Sequence, residues 1–286
     1  MRVHEAARER GVLCLGRRLK KPERGDSRHG ADRQHQQNRP DLRPPTAGPR
    51  FDNLRIVMAK RRHPSLKPKS RETGRVFLLS PANCNGPRAK VVLSERAQFD
   101  LAQRLRSDAG AAIGEVFAFI SGLYFKGKLL YALEFARPPE PGAPVAGSGA
   151  LVITPTAGLR PVETRVDAGA LRTFAGVDIA AADPRYRRPL VASARALAEE
   201  IGPECDVVLL GSIASQKYVD VLTEVFGERL RFPIDFVGRG DMSRGGLLLR
   251  CARAREELTY VPVLGAVRHG PRPPKLAPIK GISKWR

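Results

Sequence analysis

Five short apolar runs, bounded by polar turns and separated by helical patterns, constrain this 286-residue chain more than any other feature. They are RVFLLS (75–80), ALVITP (150–155), DVVLLGS (206–212), LRFPI (230–234) and LTYVPV (258–263). Each is apolar at consecutive positions rather than at alternate ones. A strand of that kind needs cover on both faces, which is the condition of a parallel sheet.

The intervening segments have helical spacing. DPRYRRPLVASARALAEEIGP offers Asp183 as N-cap, Pro184 in the first turn and Gly202-Pro203 as a stop, with Leu190, Ala194, Leu197 and Ile201 on one face. SQKYVDVLTEVFG places Tyr218, Leu222, Val225 and Phe226 together and ends at Gly227. SERAQFDLAQRLRS predicts a helix from Ser94 with Ala97, Leu101 and Leu105 inward, and EPGAPVAGSG (140–149) reads as an exposed loop. Strand–helix alternation predicts an α/β fold: an open, mainly parallel sheet with helices on both faces, in one domain flanked by basic tails.

The net charge of +21 is not spread evenly. Residues 1–73 hold 20 Lys/Arg against 8 Asp/Glu, residues 264–286 hold 6 against none, and residues 74–263 hold 24 against 21. The expected domain is therefore 74–263, between a basic extension (1–73) and a basic, Pro-rich tail (264–286). RGDSRHGADRQHQQNRPDLRPPTAGPR carries too little apolar surface to order itself. Two readings of the extension stand. Met58 opens MAKRRHPSLKPKSRETG, a short basic leader, so the true start falls there and 1–57 is not translated. Alternatively, 1–73 is an arm that binds DNA or RNA.

All five histidines (His4, His29, His35, His63 and His269) lie outside 74–263. A Ser-His-Asp triad or a Cys-His pair cannot operate in the domain, and neither a His-containing zinc site nor a cofactor is expected. The cysteines, Cys14, Cys84, Cys205 and Cys251, form no C-x-x-C pair and read as reduced thiols of a cytoplasmic protein. No run approaches the ~20 apolar residues of a membrane span.

In an open parallel sheet, ligands bind beyond the carboxyl ends of the strands. Those ends run into SPANCNGPR, TPTAGLRPVE, GSIASQK and DFVGRGDMSRGG. A site shared among them would comprise Ser80, Asn83, Cys84, Arg88, Thr154, Thr156, Gly158, Ser212, Lys217, Arg239, Asp241 and Arg244. The last loop is neither a dinucleotide fingerprint, since Ser243 stands where the third glycine belongs, nor a P-loop, since Gly246 replaces the lysine. It predicts a Gly-rich turn into a helix capped by Asp241 or Ser243. Backbone N–H groups with Arg239 or Arg244 could hold an anion there; the alternative is a capped turn with solvated arginines. Cys84 also has two readings, as inert packing or as a nucleophile whose pKa is lowered by Arg88 and a helix N-terminus.

Three segments, in order, resemble a known family. GLYFKGKLLYALEFA precedes ALVITPTAGLRPVETRV, similar to an A-x-x-L-Y … SA-x-x-GL-x-x-P signature of small bacterial α/β proteins. VVLLGSIASQKYVDVL … FPIDFVGRGDMSRG resembles that family's glycine–tyrosine helix and terminal glycine loop. A similar domain, related in fold to uracil-DNA glycosylases, occurs in archaeosine synthase, which modifies a 7-deazaguanine base in tRNA. The resemblance covers about residues 75–250. The family's first loop carries a serine–cysteine pair and a lysine-containing turn, where this chain has LLSPANCNGPR, with Cys84 displaced and Arg88 in the lysine's place. The family's "SA" is Thr154-Pro155-Thr156-Ala157 here.

The resemblance implies binding of a nucleotide or modified nucleobase and a role in nucleic-acid base modification. In that chemistry a Cys84 thiolate would add to the nitrile carbon of a 7-cyano-7-deazaguanine, with Asp241 moving protons and the remaining site residues binding substrate. The rival reading is a non-catalytic nucleic-acid-binding or interaction protein that works through its basic tails.

Overall fold

The computed structural model describes residues 73–214 and 216–276, which belong to one compact unit. The expectations for 1–72, including the start at Met58, and for 277–286 lie outside the described residues. The first apolar run forms β1 (Arg75–Leu79). Two short helices follow, α1 (Pro87–Leu93) and α2 (Asp100–Arg106), then the two-residue β2 (Ala111–Ala112). The helices α3 (Ile113–Ser121) and α4 (Leu123–Phe135) are separated by Gly122. Next come β3 (Ala150–Thr154), β4 (Gly158–Pro161), β5 (Arg165–Val166) and α5 (Ala168–Ala175). The chain ends with α6 (Pro184–Ile201), β6 (Asp206–Leu210), α7 (Gln216–Phe226), β7 (Leu230–Pro233), α8 (Asp241–Ala254) and β8 (Tyr260–Pro262).

The main sheet has the order β4-β3-β1-β6-β7-β8. β1 pairs in parallel with both β3 and β6, and β6 pairs in parallel with β7. The edges are antiparallel: β4 against β3 and β8 against β7. On one face α4 packs over β1 and β3, and α8 packs against α4. On the other, α6 lies against β3 and β4, α7 against β7, and the two helices touch each other. This is the expected open α/β sheet covered on both faces. All five residues of β3 are buried, as are the last four of both β1 and β6. Each Val, Leu, Ile or Phe so buried contributes about 1.5–3 kcal/mol of transfer free energy, which is why unbroken apolar runs settle in the centre.

Four expectations need correction. The helix predicted from Ser94 begins at Asp100, while Ser94 caps the end of α1. Pro87, in the first turn of α1, starts a helix early, and Arg106 holds the connection by donating to Ser94 O (2.9 Å) and Ala97 O (2.6 Å). The run at 258–263 is a three-residue antiparallel edge strand rather than a buried parallel one. Residues 143–149 are not a free loop: Ala143, Ala146 and Gly149 are buried, and the Glu200 carboxylate accepts from Val145 N (2.9 Å) and Ala146 N (2.6 Å). Finally, α8 is capped by Gly240, with Asp241 already inside its first turn and no side-chain cap bond.

α4 is fixed at both ends. Near its carboxyl end the Tyr131 hydroxyl lies 2.6 Å from that of Tyr260 and accepts from Leu258 N (2.8 Å). Tyr260 donates to Glu257 (2.9 Å), which pairs with Arg75 on β1. Near its amino end α4 crosses α8 at Gly127 and Gly245. A β-carbon on Gly245 would sit 2.7 Å from Tyr124 Cα, and one on Gly127 would sit 2.6 Å from Gly245 O. The two backbones approach as closely as they do because neither residue has a side chain.

Candidate functional site

The parallel strands run β3-β1-β6-β7, so the chain leaves β1 to one side for β3 and then crosses to the other side for β6. Connections diverge in this way on either side of β1, and crevices at such switch points open beyond the carboxyl ends of the strands. A cleft of about 430 Å³ lies at that place. The loop after β1 supplies Ser80 to Asn85, Pro155 follows β3, Lys217 and Tyr218 come from α7, and Phe174 to Ile179 close the far side. Asn85 fixes that side by donating to Ala175 O (2.6 Å). A larger cleft, about 700 Å³, borders Gly74, Arg137 and Cys205 at the amino ends of β1 and β6, the edge opposite to the one such sheets use for ligands.

Behind Ser80 is a fully buried lysine. Lys128, on α4, donates from Nζ to Ser80 O (2.7 Å) and Ser80 Oγ (2.9 Å). Its Nζ also stands over the rings of Tyr124 (4.6 Å) and Phe125 (4.7 Å). No ion pair of Lys128 is seen among the described residues. Desolvation brings its pKa down to about 7, with the Asp241 charge opposing the shift. Around this pair, Tyr218 donates to Ser212 O (3.0 Å), accepts from Ser212 N (3.1 Å) and hydrogen-bonds Ser80. Burial raises the Tyr218 pKa, and it raises that of Tyr124 against the pull of the nearby Arg244 guanidinium.

The residues expected from sequence divide into three groups. Ser80, Asn83, Cys84 and Lys217 line the cleft, and Ser212 stands beside it through Tyr218. Thr154 and Gly158 serve the β3–β4 hairpin instead. Thr154 Oγ1 donates to Gly158 O (2.8 Å) and accepts from Ala157 N (2.9 Å), so its hydroxyl is spent locally. Thr156 is half-buried in that turn and does not line the cleft. The strand exit was in fact a tight turn into β4.

The third group lies elsewhere. Arg88 is exposed, donates to Phe119 O (3.4 Å) and packs beneath Gly122, so it does not hold Cys84. Arg239 donates to Asp235 O (2.9 Å) and Ser243 Oγ (3.3 Å) and borders a separate cleft with Met242 and Arg272. Arg244 turns inward, donates to Phe236 O (3.0 Å) and stacks on the Phe236 ring (5.4 Å). Asp241 is exposed, 3.5 Å from Arg244, and reaches Lys128 only through its field. The Gly-rich loop is thus tied to its own backbone rather than arranged around an anion.

The thiolate reading of Cys84 also needs correction. Its thiol is buried, lies 3.6 Å from Ala82 O, and is pushed up to about 12 by desolvation. A thiolate requires a nearby positive group, and the expected one, Arg88, points away. The chief residues missed were Lys128, Tyr218 in its bonding role, Phe174 and Asp178. A signal for Lys128 was present: 125, 128, 132 and 135 form the apolar stripe of α4, and a lysine occupies one of its positions.

Among the described residues no group of three or more His, Cys, Asp or Glu could hold a metal ion, and no helix is long and apolar enough to cross a membrane. No protein-family model, curated protein or solved structure matches the chain.

Proposed function

We propose that the switch-point cleft binds a nucleobase or nucleotide and that the chain acts in nucleic-acid base modification. The observation that carries this is the composition of the walls. Pro81, with the largely buried Phe174 and Pro155, supplies the apolar part of the wall, while Asn83, Asn85 and Asp178 offer amide and carboxylate groups beside it. A planar heterocycle needs both, stacking on its faces and hydrogen bonds along its edge. The cleft of about 430 Å³ falls within the usual range for small-ligand sites. The basic ends of the chain suit a base still carried on a polynucleotide, since they supply sequence-independent attraction to phosphates.

Calorimetry of the full chain with guanine, 7-cyano-7-deazaguanine, uracil and their nucleotides tests the reading. One class should bind, and Asp178→Ala and Asn83→Ala should each weaken it by about tenfold, the worth of one hydrogen bond to a base edge. Absence of binding by every base at millimolar concentration would overturn it. If binding appears only with polynucleotides, and weakens steeply with salt, the affinity belongs to the basic ends instead.

A further inference from the structure

We propose that Ser80 is a nucleophile and Lys128 its general base, forming a serine–lysine pair that acts on an ester or amide carbonyl of a ligand in the switch-point cleft. The proposal goes beyond the nucleobase reading. It needs the cleft to be a ligand site but does not depend on what carries the acyl group.

The geometry has three parts. Ser80, though largely buried, lines the cleft, and Lys128 stands directly behind its hydroxyl. The separation of Lys128 Nζ and Ser80 Oγ is 2.9 Å, within reach of direct proton transfer. The second Lys128 bond, 2.7 Å to Ser80 O, fixes the amine beside the hydroxyl. A lysine placed there only for packing would serve worse than a methionine, because its charge must be desolvated and no carboxylate among the described residues touches it. The other titratable groups around the pair and the cleft are Asp241 and Arg244 from α8, Lys217 and Tyr218 from α7, Tyr124 on α4, Cys84 in the loop after β1 and Asp178 after α5. At neutral pH an ordinary lysine is neutral in only about 0.1% of molecules or less. Desolvation brings Lys128 to the point where about half the molecules carry a free lone pair near pH 7.

The steps balance without a co-reactant other than water. The Ser80 Oγ–H bond breaks and its proton passes to Lys128 Nζ, while Oγ bonds to the carbonyl carbon. The tetrahedral adduct collapses and expels the alcohol or amine, which takes the proton from the Lys128 ammonium. Water then attacks the acyl carbon, giving a proton to Lys128. Ser80 Oγ leaves and recovers that proton, so the net change is hydrolysis to a carboxylic acid and an alcohol or amine.

A fluorophosphonate ester, which phosphonylates activated serines, is the probe. The full chain is treated across about pH 5.5–9, and the adduct is located by peptide mass mapping. The expected result is one adduct, on Ser80, forming at a rate that rises to a plateau with its midpoint near pH 7. Ser80→Ala should lose the adduct, and Lys128→Met should slow labelling at pH 8 by about 100-fold or more, the usual worth of a general base. If Lys128→Met does not fold, the pH profile of the unaltered chain decides alone. An unlabelled Ser80 in folded protein, or a rate rising tenfold per pH unit without a plateau, would overturn the pair. Nucleobase binding with Ser80 unlabelled removes only the nucleophile, and labelling without nucleobase binding removes only the ligand class.

Discussion

Replacing Lys128 by Met should change how the stability of the fold depends on pH, by an amount that follows from where the lysine sits. Lys128 is fully buried, and its pKa is brought from 10.5 to about 7. Unfolding exposes it and restores the ordinary value. Between those values the unfolded chain binds a proton that the folded chain does not, so stability rises with pH at about 1.4 kcal/mol per pH unit. Above the ordinary value the amine is neutral in both states and no penalty remains. Below about pH 7 it is charged in both, and the full cost of the buried charge is present, about 5 kcal/mol. Methionine carries no proton in either state.

The absolute stability of Lys128→Met also reflects the two lost bonds to Ser80, so the informative quantity is its difference from the parent chain as pH varies. That difference should move against the variant by about 3 kcal/mol between pH 7 and pH 9.5. Urea denaturation followed by far-UV circular dichroism reads it directly. The corresponding shift in melting temperature is roughly 6–12 °C for a domain of this size. A difference that stays flat over this range would show that the amine is hydrated or paired in solution. Lys128 would then keep an ordinary pKa and could not serve Ser80 as a base near pH 7.

Other perturbations test separate contacts. Gly245→Ala places a β-carbon 2.7 Å from Tyr124 Cα, and the forced separation of α4 and α8 should lower urea stability by about 1–3 kcal/mol. Cys84, held protonated by burial, should react with iodoacetamide at neutral pH at least a thousandfold more slowly than free cysteine, and no faster than Cys205; rapid selective alkylation would restore the thiolate. Arg244→Ala should cost about 1.5–3 kcal/mol in thermal or urea unfolding through its bonds to Phe236 O, with phosphate binding unchanged.

The central strands were legible because each is a local apolar run whose environment is the same on both sides. β1, β3, β6 and β7 lie within a residue or two of the expected positions. β4 was hidden because its turn, Thr154 to Gly158, is short and polar like any loop, and only the pairing of Thr154 with Gly158 distinguishes it. The cleft's place was legible for a topological reason: strand exits gather at one edge whatever their sequence. Which polar residues face it was not, because direction depends on contacts distant in sequence. Arg88 stands near Cys84 along the chain, yet its guanidinium donates to Phe119 O, 31 positions away. Lys128 and Ser80 stand 48 positions apart, so no spacing rule could pair them.

The same long-range logic accounts for the glycines of FVGRGDMSRGG. Four of them suggested a loop wrapped around a ligand, but Gly245 is used inside α8, where it faces Gly127. That crossing lies one residue from Lys128, whose Nζ must be shielded from water for its pKa to fall. A bulkier residue at 245 would hold α8 away from Tyr124 and Gly127 and admit water beside the amine. The backbone freedom of the loop and the buried amine behind Ser80 are therefore linked: the close helix crossing helps to keep water from the lysine, and that desolvation lowers its pKa. Arg244, bound to Phe236 O and stacked on its ring, and Asp241, 3.5 Å from Arg244, keep their charges at the start of α8 without touching Lys128. The charges of the loop thus anchor the helix start and bias the lysine from a distance, while the groups that meet the cleft come from the loop after β1, from the turn after β3, from α7 and from the end of α5 and the segment after it.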